Sequence, residues 1–184
     1  MFIGGLDIGT TGCKIAVYDE NAVLRNTVYT EYDVKRVSGL HEIDLGEVWN
    51  SVKKLLVEVC KDYPLDAIGV TSFGETFAML DENDNIIAPS MLYTDPRGGE
   101  ECEELMAALG EENIAFKTGV KPHSMFSLPK VMWIKKNMPE AYAKAKRVLL
   151  VQDFIVYKLS GVAQIDTALA ARTLAFNVEE KVFD

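Results

Sequence analysis

The residues best suited to chemistry lie in one turn near the N-terminus, where residues 6–14 read Leu-Asp-Ile-Gly-Thr-Thr-Gly-Cys-Lys. An apolar strand ends on a carboxylate, and two glycines then let the backbone approach a ligand closely. Threonine hydroxyls and the N–H groups of such a turn can surround phosphate oxygens. A carboxylate repels phosphate, so it would hold Mg²⁺ through water, and the metal would neutralise the phosphates. The predicted phosphate and magnesium residues are Asp7, Gly9, Thr10, Thr11 and Lys14.

The same turn is open to a structural interpretation, as a plain hairpin with a Gly-Thr-Thr-Gly loop. It is not a Walker A loop, because the Gly-Lys-Ser/Thr ending is missing. It is not a dinucleotide-binding fingerprint either, because the pattern after the turn predicts a strand and not a helix.

A second group of polar residues follows two apolar runs in the middle of the chain. Glu75 lies in a loop directly after the apolar segment 67–70, and a carboxylate there could accept hydrogen bonds from ligand hydroxyls or simply be solvated. Asp95 and Arg97 could order their loop by a local ion pair or reach a ligand. Glu75, Asp95 and Arg97 are therefore candidate ligand-binding residues.

The hydrophobic pattern predicts the elements that must position these residues. Segments 2–7, 14–18 and 23–32 indicate a three-stranded antiparallel meander. Asp44, with Glu47 three residues on, predicts a helix start, and the helix would end near Pro64. Segment 67–71 predicts a strand, and segments 77–80 and 86–91 predict a hairpin. Helices are predicted at 97–110 and 128–137. Segment 148–151 predicts a strand, which is followed by a helix to Leu159. Residues 117–124 are the predicted loop. These elements define only an α+β or α/β protein.

Composition excludes several classes of function. The chain has 184 residues, 48% of them hydrophobic, which predicts one globular domain. The net charge of −9 argues against nucleic-acid binding. No apolar run is long enough for a membrane span, and the first residues lack the pattern of a signal peptide. Three dispersed cysteines and two distant histidines predict neither a disulfide framework nor a metal site, so we expect a cytoplasmic protein.

The motifs together resemble those of the FGGY carbohydrate kinases, which include xylulokinases, gluconokinases and glycerol kinases. Residues 5–14 are similar to the first phosphate motif of that family. Residues 69–97 resemble the stretch from the sugar-contacting loop to a Trp-Asn-Asp-Gly-Arg motif, which reads Tyr-Thr-Asp-Pro-Arg here. Segments 127–137 and 148–161 resemble its Pro-Lys-x-x-Trp helix and its Leu-Leu-x-x-Asp-Phe/Tyr helix entry. The resemblance covers nearly the whole chain.

The resemblance implies a ribonuclease-H-like domain, as in actin and the sugar kinases, with a mixed sheet and flanking helices. It implies that residues 1–184 form the sugar-binding N-terminal domain, truncated before its end and without the ATP-binding C-terminal domain. The full-length protein would use Mg²⁺ and ATP to phosphorylate a small sugar or polyol. The family's catalytic base lies in a Gly-Asp turn beyond Asp184, so the isolated chain is expected to be inactive. Whether the protein forms a homodimer is left open.

The sugar loop departs from both family types, since xylulokinases carry Gln-Met-His-Gly and glycerol kinases Arg-Glu-Thr. Glu75 and Thr76 match the second type, but Gly74 replaces its arginine. The resemblance implies that the substrate-binding residues are Gly74, Glu75, Thr76, Tyr93, Asp95 and Arg97. His123 and Met125 fall in the loop that closes the family's pocket, and Asp166 is expected to be structural. Two carboxylates at residues 75 and 95 would favour a neutral ligand over a sugar acid.

Two other functions are compatible with this fold. A non-catalytic sugar-sensing module would keep the sugar loop, and the sequence that follows in the gene would distinguish it from a kinase. Half of an actin-like ATPase would share the phosphate turn, but the Tyr-Thr-Asp-Pro-Arg match argues against that alternative.

Overall fold

The computed structural model describes all residues from Met1 to Asp184. They fall into two compact units, one formed by Met1–Val34 with Asp44–Phe73 and the other by Lys35–Ile43 with Gly74–Asp184. The strands are β1 (Phe2–Ile8), β2 (Gly12–Asp19), β3 (Leu24–Glu31), β4 (Val34–Val37), β5 (Leu40–Ile43), β6 (Ala67–Ser72), β7 (Phe77–Leu80), β8 (Ser90–Met91), β9 (Arg147–Leu150), β10 (Phe176–Asn177) and β11 (Val182–Phe183). The helices are α1 (Leu45–Cys60), α2 (Gly99–Leu109), α3 (Glu111–Thr118), α4 (Ser127–Asn137), α5 (Pro139–Lys144), α6 (Val151–Ser160) and α7 (Thr167–Ala171).

The first unit is a four-stranded mixed sheet packed on one helix. Its strand order is β3-β2-β1-β6, with an antiparallel meander from β1 to β3 and β6 parallel to β1. Alternate residues of β1 and β2 are buried, as expected for a sheet with one covered face. Helix α1 buries Leu45, Val48, Val52, Leu55 and Val59 at helical spacing. The predicted meander and ribonuclease-H-like class are confirmed.

The N-terminus of α1 confirms the predicted cap. The Asp44 carboxylate accepts hydrogen bonds from the N–H groups of Gly46 (2.8 Å) and Glu47 (3.1 Å), two donors that a helix start leaves without partners. Because the cap satisfies them, the helix begins at the residue that the sequence indicates.

The second unit combines short strands with the remaining helices. Strands β4, β5 and β8 form one small sheet, β7 pairs with β9, and β10 pairs with β11. One core cluster contains Phe77, Met79, Ala88, Met91, Ile134 and Leu150, and another contains Leu105, Ile114, Phe126 and Leu174. All three cysteines are free. No helix has the length and apolar composition needed to cross a membrane.

The predicted hairpin between segments 77–80 and 86–91 forms only at its turn end, where the Ile87 N–H also donates to the Met79 carbonyl oxygen (2.9 Å). The turn itself forms, with a bridge between Leu80 and Ile86, but β7 then pairs with β9 and β8 pairs with β5. All four residues of β7 are buried, as expected for a strand that is covered on both faces. The predicted loop at 117–124 begins later than expected, because α3 continues to Thr118 and ends at Gly119.

Candidate active site

The turn at residues 9–12 is closed by its own backbone and held by a buried tyrosine. The Gly9 N–H donates to the Gly12 carbonyl oxygen (2.9 Å). The Tyr32 hydroxyl donates to the Gly9 carbonyl oxygen at 2.5 Å and lies 3.1 Å from that of Gly12. Burial raises the pKa of Tyr32, so the hydroxyl stays a donor. Tyr32 was not among the predicted residues, since nothing in its sequence context marks it except its position at the end of a strand.

The tip of this turn offers donors that the chain does not use. The N–H groups of Thr10 and Thr11 have no acceptor in the protein, and Thr11 is exposed. Gly12 is required for space, because a Cβ there would lie 2.5 Å from the Tyr29 hydroxyl oxygen. Free N–H groups on a fixed, side-chain-poor turn are suited to phosphate oxygens.

Asp7 and Lys14 lie beside this turn as cross-strand neighbours. They are directly opposite each other in the β1–β2 register, and Thr71 of β6 is opposite Asp7 on its other side. All three are exposed, on the sheet face opposite the buried residues Leu6 and Ile8. No cluster of three or more His, Cys, Asp or Glu side chains could hold a metal ion. One exposed carboxylate fits a Mg²⁺ ion that keeps several waters and is also bound by phosphates.

In the second unit, Glu75 has an unusual backbone. Its φ is +68°, in the left-handed region that residues other than glycine seldom adopt, and its side chain is buried. The Ser127 hydroxyl donates to the Glu75 carbonyl oxygen (2.7 Å), and the Thr76 N–H donates to the Gly74 carbonyl oxygen (2.8 Å). Strain of this kind costs about 1–3 kcal/mol and is concentrated at functional sites.

The carboxylate of Glu75 is paired with Arg172, almost one hundred residues later in the sequence. The Nε and Nη2 groups of Arg172 both contact Glu75 Oε1, and the guanidinium lies over the Phe126 ring, 5.6 Å from its centroid. Glu75 Oε2 makes no hydrogen bond within the chain. Sequence reasoning missed Arg172, because a single arginine in a late segment gives no indication of its partner.

Asp95 lies at the centre of a saturated ion-pair network. Its Oδ1 accepts from the Arg97 N–H (3.0 Å) and Nε (2.8 Å), and its Oδ2 accepts from Arg97 Nη2 (2.7 Å) and the His41 N–H (2.8 Å). Burial alone would raise the pKa of Asp95, but these hydrogen bonds outweigh it and lower the pKa. Arg97 also reaches Glu42 (2.7 Å) and stacks on Trp133. Of the two roles left open for the pair, this geometry favours ordering of the loop.

The start of α4 joins the two loops. Ser127 bonds to the backbone of Glu75, while Lys130 Nζ donates to the carbonyl oxygens of Asp95 (3.0 Å) and Arg97 (3.1 Å). Residues three apart on a helix share a face, so these contacts bring the Glu75 and Asp95 loops together. Lys130 is completely buried, and burial lowers its pKa to about 8. The Pro-Lys-x-x-Trp pattern marks Lys130 in the sequence but does not show what it holds.

The other predicted residues lie at varied depths. Thr76 is fully buried and its hydroxyl oxygen has no partner, whereas Tyr93 is 43% exposed. His123 is exposed and accepts a hydrogen bond from the Met125 N–H (3.0 Å). Asp166 caps α7, which is the structural role predicted for it.

The strand order and the glycine-threonine turn define the class of domain found in actin-like ATPases and sugar kinases. The sequence model described as "FGGY family of carbohydrate kinases, N-terminal domain" matches residues 2–184. The chain belongs to this family.

Named relatives and solved structures agree with this assignment. A glycerol kinase of Janthinobacterium sp. is 31% identical over all of the chain and 39% of that protein. A xylulose kinase of Lactococcus lactis is 26% identical over 98% of the chain and 37% of that protein. The crystal structure of a xylulose kinase from Rhodospirillum rubrum has the same fold, with a TM-score of 0.94 and 22% identity over all of the chain and 39% of that structure. The chain therefore spans less than two fifths of the length of these relatives.

Proposed function

We propose that the chain is the sugar-binding part of a longer kinase that transfers the γ-phosphoryl group of ATP to a hydroxyl of a small sugar or polyol. The observation that carries the proposal is Glu75, whose carboxylate is buried on a strained backbone yet keeps one oxygen free of protein partners. Such an oxygen is suited to accept a hydrogen bond from a ligand hydroxyl. The family membership and its xylulose and glycerol kinase relatives support the reaction class.

Each predicted residue has a role in this proposal. Glu75 accepts from the sugar, and the saturated Asp95–Arg97 pair fixes the adjoining loop rather than contacting the sugar. Tyr93, exposed at that loop, offers an aromatic surface for the apolar side of a polyol. Gly74 and Thr76 shape the backbone on either side of Glu75.

The phosphate turn has a separate role. The free N–H groups of Thr10 and Thr11 would bind phosphate oxygens, and Lys14 would add positive charge nearby. Asp7 would hold Mg²⁺ through its waters, and when bound the metal neutralises charge on the phosphates. The chain itself then binds and orients, and we propose that the residue taking the hydroxyl proton lies outside residues 1–184.

Phosphorylation of a panel of polyols by the full-length protein tests the proposal. Glycerol, D-xylulose and D-gluconate are supplied with Mg-ATP, and ³¹P NMR detects the sugar phosphate. We expect one of them to be phosphorylated by the full-length protein and none by residues 1–184 alone. Binding of a polyol without phosphorylation would favour the sugar-sensing alternative, and absence of both would refute the proposal.

A further inference from the structure

Arg172 presents a guanidinium at the candidate sugar site. It follows α7 as the helix C-cap, and its N–H donates to the Leu169 carbonyl oxygen (3.0 Å), so its backbone is fixed. The side chain reaches Glu75 Oε1 with two of its nitrogens and packs over Phe126. An arginine has five N–H donors, and Nη1 has no protein partner here, so donors remain for a ligand.

The two partners of this ion pair differ in exposure. The Arg172 side chain is 42% exposed, whereas that of Glu75 is only 4% exposed. The guanidinium therefore lies on the accessible side of the carboxylate. The guanidinium is thus the more accessible group of the pair to a ligand.

Gly74 gives independent support for the position of Arg172. A Cβ at residue 74 would lie 3.2 Å from Arg172 Nε and 3.5 Å from its Cδ, so a side chain there would require the guanidinium to shift by a few tenths of an ångström. The φ of Gly74 is not in the left-handed region, so its backbone conformation does not require glycine. Space for Arg172 is the physical requirement that the structure shows at this residue.

We infer that Arg172 contacts the substrate and determines specificity, donating to the same hydroxyl oxygen that donates its proton to Glu75 Oε2. The inference rests on the proposed function and concerns how its ligand is held, through one hydroxyl group shared by Glu75 and Arg172. The pair is neutral as a unit, and Asp95 is neutralised by Arg97 in the same way. The expectation that two carboxylates would repel a sugar acid therefore loses its premise, because neither carboxylate is a free negative charge.

Steady-state kinetics of the full-length protein test the contact, using whichever of glycerol, D-xylulose and D-gluconate the wild type phosphorylates fastest. We expect Arg172→Ala to raise KM for that substrate about 10- to 100-fold with a smaller change in kcat, and Arg172→Lys to restore part of the loss. Gly74→Ala should raise KM by a smaller factor. Gly99→Ala is the matched control, because a Cβ at residue 99 meets nothing within 4 Å.

A charge-reversal test separates substrate contact from a purely structural role. D-Gluconate and D-glucitol differ by a carboxylate in place of a hydroxymethyl group. Each is measured as a competitive inhibitor of the sugar, or by its own KM if it is itself the substrate. Arg172→Ala leaves Glu75 unpaired and should weaken gluconate relative to glucitol by about tenfold, while Glu75→Gln should shift the ratio the other way. In the double variant the ratio should return close to the wild-type value.

The outcomes distinguish the inference from the proposed function. If the wild type phosphorylates no sugar of the panel, the proposed function fails and the inference fails with it. If the wild type is active but Arg172→Ala changes neither KM nor the inhibitor ratio by more than about twofold, the inference alone is overturned.

Discussion

Replacing the buried lysine of α4 tests how the Asp95 loop is held. Lys130 is fully buried and donates to two carbonyl oxygens, those of Asp95 and Arg97. In Lys130→Met the apolar stem is kept, but both oxygens lose their donor. A buried acceptor without a partner costs about 1–3 kcal/mol. Two such acceptors would cost about 2–6 kcal/mol if the ammonium carried no desolvation cost.

The pH dependence of this loss follows from the pKa of Lys130. Burial lowers the pKa of the folded-state ammonium to about 8, against about 10.4 in an unfolded chain. Between these values the unfolded state binds more protons, so the stability contributed by Lys130 rises with pH and is lost as pH falls through 8. A neutral amine still has two N–H donors, so both hydrogen bonds can persist at high pH. The gap between wild type and Lys130→Met should therefore widen by about 1–2 kcal/mol from pH 7 to pH 9.5.

Urea unfolding at pH 7 and pH 9.5 measures this gap directly. Lys158→Met is the control, since Lys158 is an exposed lysine of α6 and should show no pH-dependent difference from the wild type. A gap for Lys130→Met that stays constant or narrows as pH rises would refute the placement of Lys130 as a buried, partly destabilised ammonium.

Three further predictions concern single carboxylates. Burial, with a smaller effect from Asp166, raises the pKa of Asp153 to about 7, so the stability that Asp153 contributes is lost as pH rises through 7. In thermal unfolding, Asp153→Asn should therefore gain stability relative to the wild type from pH 4.5 to pH 7.5. An unchanged difference in stability between the two proteins would contradict this. Asp95→Asn should lose about 2–4 kcal/mol in urea unfolding at pH 7, because it breaks a buried pair, and a loss below about 0.5 kcal/mol would be inconsistent with the network. Asp7→Ala should lower kcat of the full-length protein about 100-fold or more with little change in the sugar KM. Turnover near the wild-type value at saturating Mg-ATP would show that Asp7 has only a structural role in the turn.

The sequence predicts the first unit well, because its elements are local. The meander is defined by period-two patterns and short turns, and α1 by a cap and an apolar stripe. The pairing of β7 with β9 was not predictable in this way, since the two strands are separated by more than sixty residues. A fully buried strand carries no alternation to indicate which neighbour it needs.

The candidate site was predictable in its motifs but not in its partners. Residue types and spacing single out Asp7 and Glu75, and the family resemblance adds Asp95. The partners Arg172 and Lys130 come from distant segments, and their roles depend on tertiary contacts that no local pattern records. The charge state of the site depends on those contacts, and it changes the expected response to a sugar acid.

Titration calorimetry on Glu75→Gln tests the central claim most directly, because it asks whether this side chain holds the sugar. The substrate identified in the phosphorylation assay is titrated into the full-length wild type, into Glu75→Gln and into Glu103→Gln, whose residue is an exposed glutamate of α2. If Glu75 accepts a hydrogen bond from the sugar, its variant should bind about tenfold or more weakly while the control binds as the wild type does. Equal affinity of all three proteins for the sugar would place the sugar site elsewhere and contradict the account.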